Sequence, residues 1–133
     1  MYEIIPFKRV GQFEFNTSIS RYLDGDNFNF YPKGDGESWD TYSYRGGGID
    51  IYTSDSIIES ISCRSDCFLE GQMLIGMNIE DFWAVFKIAV SNIKMEKVYF
   101  FDGSEQDVYD VDCLGLQLWV DQYNTIVTVF VSI

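Results

Sequence analysis

The sequence predicts an α+β fold: two tandem strand-helix-antiparallel-sheet repeats forming one domain. Three observations carry that expectation. The chain has 133 residues, of which 47% are hydrophobic and 17% aromatic. That is enough to bury one core and offset the ordering entropy, yet too short for two full domains with a cleft between them. Second, Gly11 to Leu23 lies over Gly71 to Trp83 without a gap. Gly, Gln and Ile are identical, and hydrophobic residues are kept at Phe13/Met73, Phe15/Ile75, Tyr22/Phe82 and Leu23/Trp83. Third, two more matches follow in the same order, Gly48 to Tyr52 over Gly115 to Trp119 and Ile58 to Cys63 over Ile126 to Val131. Self-similarity that recurs in order marks one supersecondary unit used twice. Repeat 1 spans about residues 10–66 and repeat 2 about residues 70–133.

Each repeat opens on a short strand, Gln12 to Phe15 or Gln72 to Ile75. A capping turn follows, with Thr17 or Ser18 in the first copy and Asn78 in the second offering a side-chain oxygen to the first free amides. In the second copy Ile79, Phe82, Trp83, Phe86 and Ala89 or Val90 fall at helical spacing, with Glu80 and Asp81 where the helix dipole favours negative charge. That stripe is most simply core. The first helix is short, because Asp24-Gly25-Asp26-Asn27 stops it, and aromatic-rich sequence punctuated by glycine runs on to about Tyr44. Strands are expected at Thr41 to Arg45, Gly48 to Thr53 and Ser56 to Cys63. In the second copy they fall at Lys97 to Phe101, Val108 to Cys113, Leu116 to Asp121 and Thr125 to Ser132. The last alternates poorly and is almost wholly apolar or β-branched, which places it centrally with both faces covered.

Charge narrows the partners. There are 21 Asp and Glu against 9 Lys and Arg, a net of -12, and no His. Such an excess repels phosphate backbones and anionic lipid, so neither nucleic acid nor a membrane is expected as ligand, and a basic partner is favoured through steering. The bland alternative is that the acidic surface only aids solubility. The opening residues lack a basic region followed by an apolar stretch, and no segment is apolar for 18 residues, so a cytoplasmic protein is expected. Cys63, Cys67 and Cys113 lack a CxxC spacing and read as reduced, partly buried thiols, with a Cys63–Cys67 bridge as the alternative.

The motif from Gly76 to Phe82, Gly-Met-Asn-Ile-Glu-Asp-Phe, opens a helix after a short strand and precedes a strand and a Gly-started hairpin. It resembles a repeat found in the β-lactamase inhibitor protein, in small outer-membrane-assembly lipoproteins and in bacterial immunity proteins. In the first half Asn16-Thr17 stands in place of Gly-Met. The resemblance implies a protein-binding unit that presents its sheet, with no catalytic residues to carry over. The missing signal peptide and lipidated Cys favour, within that resemblance, a cytoplasmic immunity protein of the contact-dependent growth inhibition type.

Chemistry is sparse. Without His there is no Ser-His or Cys-His pair, and the carboxylates lie on predicted loops and sheet rims rather than in an apolar pocket that would separate their pKa values, so no catalysis is expected. Gly46-Gly47-Gly48 leads into a strand with no Lys-Ser/Thr after it and reads as a hairpin turn. Asp24-x-Asp26 opens like a calcium loop, but the fifth-position ligand and the glycine at position six are missing; no metal or cofactor is expected. From Val98 onward there is no Lys or Arg, while Asp102, Glu105, Asp107, Asp110 and Asp112 cluster around Tyr109. The equivalent stretch of the first copy, Asp24 to Tyr44, holds Asp35, Glu37, Trp39 and Asp40 among further aromatics. Such runs are often solvated loops. An aromatic ringed by carboxylates also suits an interface anchor. These ten residues are the candidate contacts for a basic protein toxin domain, a nuclease above all because nucleases must attract phosphate. A non-catalytic adaptor or structural subunit is the alternative, and the oligomeric state stays open.

Overall fold

The computed structural model describes residues 2–44 and 47–133. The first half runs β1 (Tyr2–Ile5), β2 (Arg9–Val10), β3 (Phe13–Glu14), a 3-10 turn at Ile19–Arg21, β4 (Phe28–Tyr31), β5 (Asp40–Tyr44), β6 (Ile49–Ser54) and β7 (Ile57–Cys63). The second runs β8 (Cys67–Leu69), β9 (Gln72–Met73), α1 (Ile79–Val85), a 3-10 turn at Val90–Asn92, β10 (Lys94–Tyr99), β11 (Glu105–Val111), a 3-10 turn at Asp112–Leu114, β12 (Leu116–Val120) and β13 (Ile126–Ser132). The expected strand end at Arg45 and the Gly46 of the expected turn lie outside the described residues.

These elements correct the expected fold class. Strand makes up 48% and helix 12%, in two sheets, so the fold is mostly β and not an α+β array of balanced strand-helix repeats. The reason is local. Only Ile79–Val85 combines helical spacing with a cap, Asn78 Oδ1 accepting from Glu80 N at 2.9 Å. The helix stops after Val85 because Lys87 turns left-handed (φ 55°), and Ile88 N donates to Trp83 O at 3.0 Å across it. Ala89 and Val90 therefore leave the expected stripe and lie exposed. The matching place in the first half holds only the turn at Ile19–Arg21, capped by Ser18 Oγ from Ser20 N at 3.2 Å.

An eight-stranded antiparallel sheet has the order β10-β11-β12-β13-β7-β6-β5-β4, and a five-stranded sheet has the order β3-β2-β1-β8-β9 with β1 and β8 parallel. The small sheet and α1 bury Ile4, Val10, Phe13, Leu69, Leu74, Ile79, Phe82 and Trp83 in one cluster with Ile49, Ile51, Ile61, Leu116, Leu118, Val129 and Val131 of the large sheet. Four of the short strands, β1, β2, β4 and β8, are absent from the expected set; two to four residues carry too little alternation to read.

The two halves of the large sheet meet at β7 and β13, which pair Ile61 with Val131, Ser62 with Phe130 and Cys63 with Val129. Given the match of Ile58–Cys63 to Ile126–Val131, this register maps onto itself, with Ser62 and Phe130 at the local two-fold axis. Backbone bonds outside the ladders recur accordingly. Asn16 N to Ile58 O (2.9 Å) answers Gly76 N to Ile126 O (2.8 Å), and Ile19 N to Ser56 O answers Ile79 N to Asn124 O, both 2.8 Å. Arg64 N to Gly48 O answers Ser132 N to Gly115 O, both 2.9 Å.

Gly115 closes the third 3-10 turn in the left-handed region (φ 64°), and a Cβ there would lie 2.5 Å from Ser132 O. Gly115→Ala combines backbone strain with a collision against a carbonyl that β13 holds in place. It is expected to lower the unfolding free energy by about 2 kcal/mol or more in urea titrations. A loss below about 0.5 kcal/mol would mean that the β11–β12 corner is not the rigid joint described.

Candidate functional site

Cross-strand partners in an antiparallel sheet project to the same side, so the register assigns every side chain of the large sheet to one of two faces. One face is the core. On the other lie Asp50 opposite Ser62 and Ser43, Tyr52 opposite Ser60, Phe130 opposite Ser62 and Gln117, and Trp119 opposite Val108 and Thr128. The small sheet and α1 both pack on the first face, and among the described residues no further layer lies on the second.

A row of rings crosses this open face. Trp39, 45% exposed at the end of the β4–β5 loop, meets Tyr52 edge-on with centroids 6.3 Å apart. Tyr52 stacks on Phe130 at 5.9 Å, and Phe130 meets Trp119 at 5.9 Å. Polar groups fix the rings from both sides. Tyr52 Oη and Ser62 Oγ share a hydrogen bond of 3.1 Å. Trp119 Nε1 donates to Gln117 Oε1 and Gln117 Nε2 to Asp110 Oδ1, each at 2.9 Å. Asp50 accepts from Ser43 Oγ and from Arg64, both at 2.5 Å, which neutralises that guanidinium; Lys94, cross-strand from Asp110 on the edge strand β10, is a second cation on this side. Ser62 is buried beneath the row.

Three adjoining depressions share Ser60. One, of about 290 Å³, is lined by Trp39, Tyr52, Ser60 and Phe130. The second adds Glu59 beside Trp39, and the third holds Asp110 and Asp112 beside Phe130. Among the described residues no lysine or arginine lines any of the three.

The ten expected contact residues do not form one patch. Their two segments lie at opposite edges of the large sheet, on β4–β5 and on β10–β11. Trp39, Asp110 and Asp112 border the open face. Asp107, Glu105 and Tyr109 point to the other side. Lys97 Nζ bonds Asp107 at 2.8 Å and Glu105 at 3.3 Å, and these two carboxylates raise the lysine pKa, Asp107 foremost. Tyr109 packs against Trp83 of α1 with centroids 5.4 Å apart. Asp102 sits in the β10–β11 turn, where Ser104 Oγ and N donate to it and hold its pKa below the usual range. Asp112 is exposed in the third 3-10 turn. In the β4–β5 loop Asp35 is exposed and Glu37 accepts from Gly34 N at 3.3 Å, while Asp40, the first residue of β5, accepts from Lys33 N at 2.8 Å.

Tyr52, Ser60, Trp119 and Phe130 carry the face and were not among the expected contacts. Their signal was the other half of the strand alternation: Asp50/Tyr52, Gln117/Trp119 and Thr128/Phe130 are the polar and aromatic positions between core residues. In β13 the continuous apolar run hid it. That strand lies centrally between β7 and β12, but Val127, Thr128 and Phe130 are only half-buried, so both faces are not covered. A second cluster, Tyr99-Phe100-Phe101, stands out at the tip of the β10–β11 hairpin, where Phe101 has no cover.

Cys63 and Cys67 are free, buried thiols, with Cys63 Sγ donating to Ser65 O at 3.0 Å, while Cys113 is free and exposed. Among the described residues no group of three or more His, Cys, Asp or Glu is placed to hold a metal ion, and no helix is long and apolar enough to cross a membrane. The chain matches no protein-family model, no curated protein and no solved structure.

Burial pushes the phenols of Tyr2, Tyr42, Tyr52 and Tyr109 above their ordinary value of 10.0; at Tyr52 the bond to Ser62 opposes the shift in part. A folded-state pKa above the unfolded one means the contribution to stability is complete below the unfolded value. It is lost as pH rises through the folded value. Unfolding free energy is expected to hold up to about pH 9.5 and then fall, with a shallower fall in Tyr52→Phe. Equal slopes in wild type and Tyr52→Phe would show that this ring is not shielded as described.

Proposed function

We propose that the chain is a non-catalytic binding protein, and within that class a cytoplasmic immunity protein that binds and neutralises a basic toxin domain, a nuclease foremost. The observation that carries the reading is the open face of the eight-stranded sheet: four rings in a row, bordered by Glu59, Asp110 and Asp112, with no lysine or arginine lining the depressions among the described residues. Rings left at a sheet surface at the expense of hydration are regained as binding energy when a partner covers them, and such anchors commonly contribute about 2 kcal/mol each. Carboxylates around them exclude acidic partners and speed the approach of basic ones. The net charge of -12 extends that field over the molecule. A nuclease carries the complementary surface because it must attract phosphate. The resemblance of Gly76–Phe82 to the repeat of immunity and inhibitor proteins points the same way.

A carboxylate hydrolase would rest on Asp110 and Asp112, which share a depression. Asp110 is already committed to Gln117, and the depression is open to solvent, so nothing there sets the two groups apart as acid and base.

The test is co-expression with the product of the adjacent upstream gene. That product is expected to arrest growth and this chain to relieve the arrest. In stopped-flow mixing the association rate should fall steeply as ionic strength is raised to about 0.15 M and beyond. Asp110→Lys, on the open face, should slow association more than Asp107→Lys, whose carboxylate is taken by Lys97 on the other side. Relief of the arrest with a salt-insensitive rate would instead favour an adaptor whose acidity serves solubility.

A further inference from the structure

We propose that the depression formed by Trp39, Tyr52, Ser60 and Phe130 is a receptor for a single arginine side chain of the protein partner. The inference rests on the basic-partner reading and adds to it the place and the chemistry of the anchor. Three rings shape the depression. Tyr52 and Phe130 stack 24° from parallel with centroids 5.9 Å apart, and Trp39 stands at 87° to Tyr52, closing a corner. A flat guanidinium fits such a corner, laid against one of these rings with its charge beside the others. The ring faces present negative potential to it. A lysine ammonium brings the same charge as a point and gains no stacking. The volume of about 290 Å³ is enough to admit one arginine side chain.

Charge around the corner agrees with a cation. Ser60 lies at its base, and the depressions that continue from Ser60 carry Glu59 on one side and Asp110 with Asp112 on the other. Arg64 does not compete, since its guanidinium is held by Asp50. These rings are also preorganised. Tyr52 is fixed by Ser62 beneath it, and Phe130 is clamped between Tyr52 and Trp119 on the central strand. Little ordering is therefore needed on binding, which favours affinity from a small contact.

The probe is N-acetyl-arginine methylamide, titrated into the full chain while the indole and amide signals are followed by NMR. Its uncharged isostere N-acetyl-citrulline methylamide, N-acetyl-lysine methylamide and tetramethylammonium serve as comparisons. The arginine compound is expected to give saturable shifts at the Trp39 indole and the Ser60 and Phe130 amides, at least about fivefold tighter than citrulline and tighter than lysine. The Trp83 indole, buried on the opposite face, should stay still. Trp39→Ala should abolish the response and Trp39→Phe keep part of it; Trp39 sits half-exposed in a loop, and unchanged amide spectra elsewhere verify the fold. Equal shifts from citrulline would overturn the proposal. So would shifts confined to the 99–105 hairpin, or binding of tetramethylammonium without arginine, which would make the corner a small-molecule ammonium site. If Asp110→Lys slows association with the toxin while Trp39→Ala leaves it unchanged, the arginine receptor fails and the basic-partner reading stands.

Discussion

The pairing of β7 with β13 is the constraint on which the rest of the molecule depends. It joins two four-stranded halves into one sheet and sets Ser62 opposite Phe130 at the centre. A slip of one residue would turn Ile61, Cys63, Val129 and Val131 out of the core and bring Ser62 and Phe130 in, so burial holds the register firmly. Once it is held, the neighbouring strands inherit their faces. Tyr52 and Trp119, at matching places in the two halves, are brought to either side of Phe130.

The two faces of that sheet have opposite chemistry. The inner one is covered by the short five-stranded sheet and a seven-residue helix, which contribute Phe13, Leu69, Phe82 and Trp83 to the core. The outer one keeps rings, hydroxyls, amides and carboxylates in fixed hydrogen-bonded positions. A layer on one side only leaves a broad, rigid, partly aromatic surface, the kind of platform on which a protein partner can be held without rearrangement. The hydrogen bonds among Asp110, Gln117 and Trp119 restrain the rings before any partner arrives, as do those joining Ser43, Asp50 and Arg64.

Parts of this were legible in the sequence. The caps at Ser18 and Asn78, the buried Ile79, Phe82 and Trp83, and most strands of the large sheet follow from capping chemistry and from alternation over five to seven residues. So does one exchange between the halves. Asn16 stands where Gly76 does because both backbones are left-handed (φ 62° and 90°), and Asn is among the few side chains that tolerate it. The acidic segments were legible as composition, but their meaning was not. Asp107 and Asp110 are three residues apart on one strand and therefore face opposite sides, one spent on Lys97 and the other bordering the ring row.

The sequence by itself determined the acidity, the lack of histidine chemistry, the order of turns and hairpins, and which residues seek burial, because those are properties of single residues and of spacing along one strand or helix. Tertiary structure alone decided that strands outweigh helix, that a second sheet forms from two- to four-residue strands, and that one face of the large sheet stays open. Strands that short are stable only against neighbours distant in sequence, as Tyr2 of β1 beside Cys67 of β8 illustrates. The same holds for the corner of Trp39, Tyr52 and Phe130. Its three rings come from a loop, β6 and β13, and no local pattern joins them until the two halves pair.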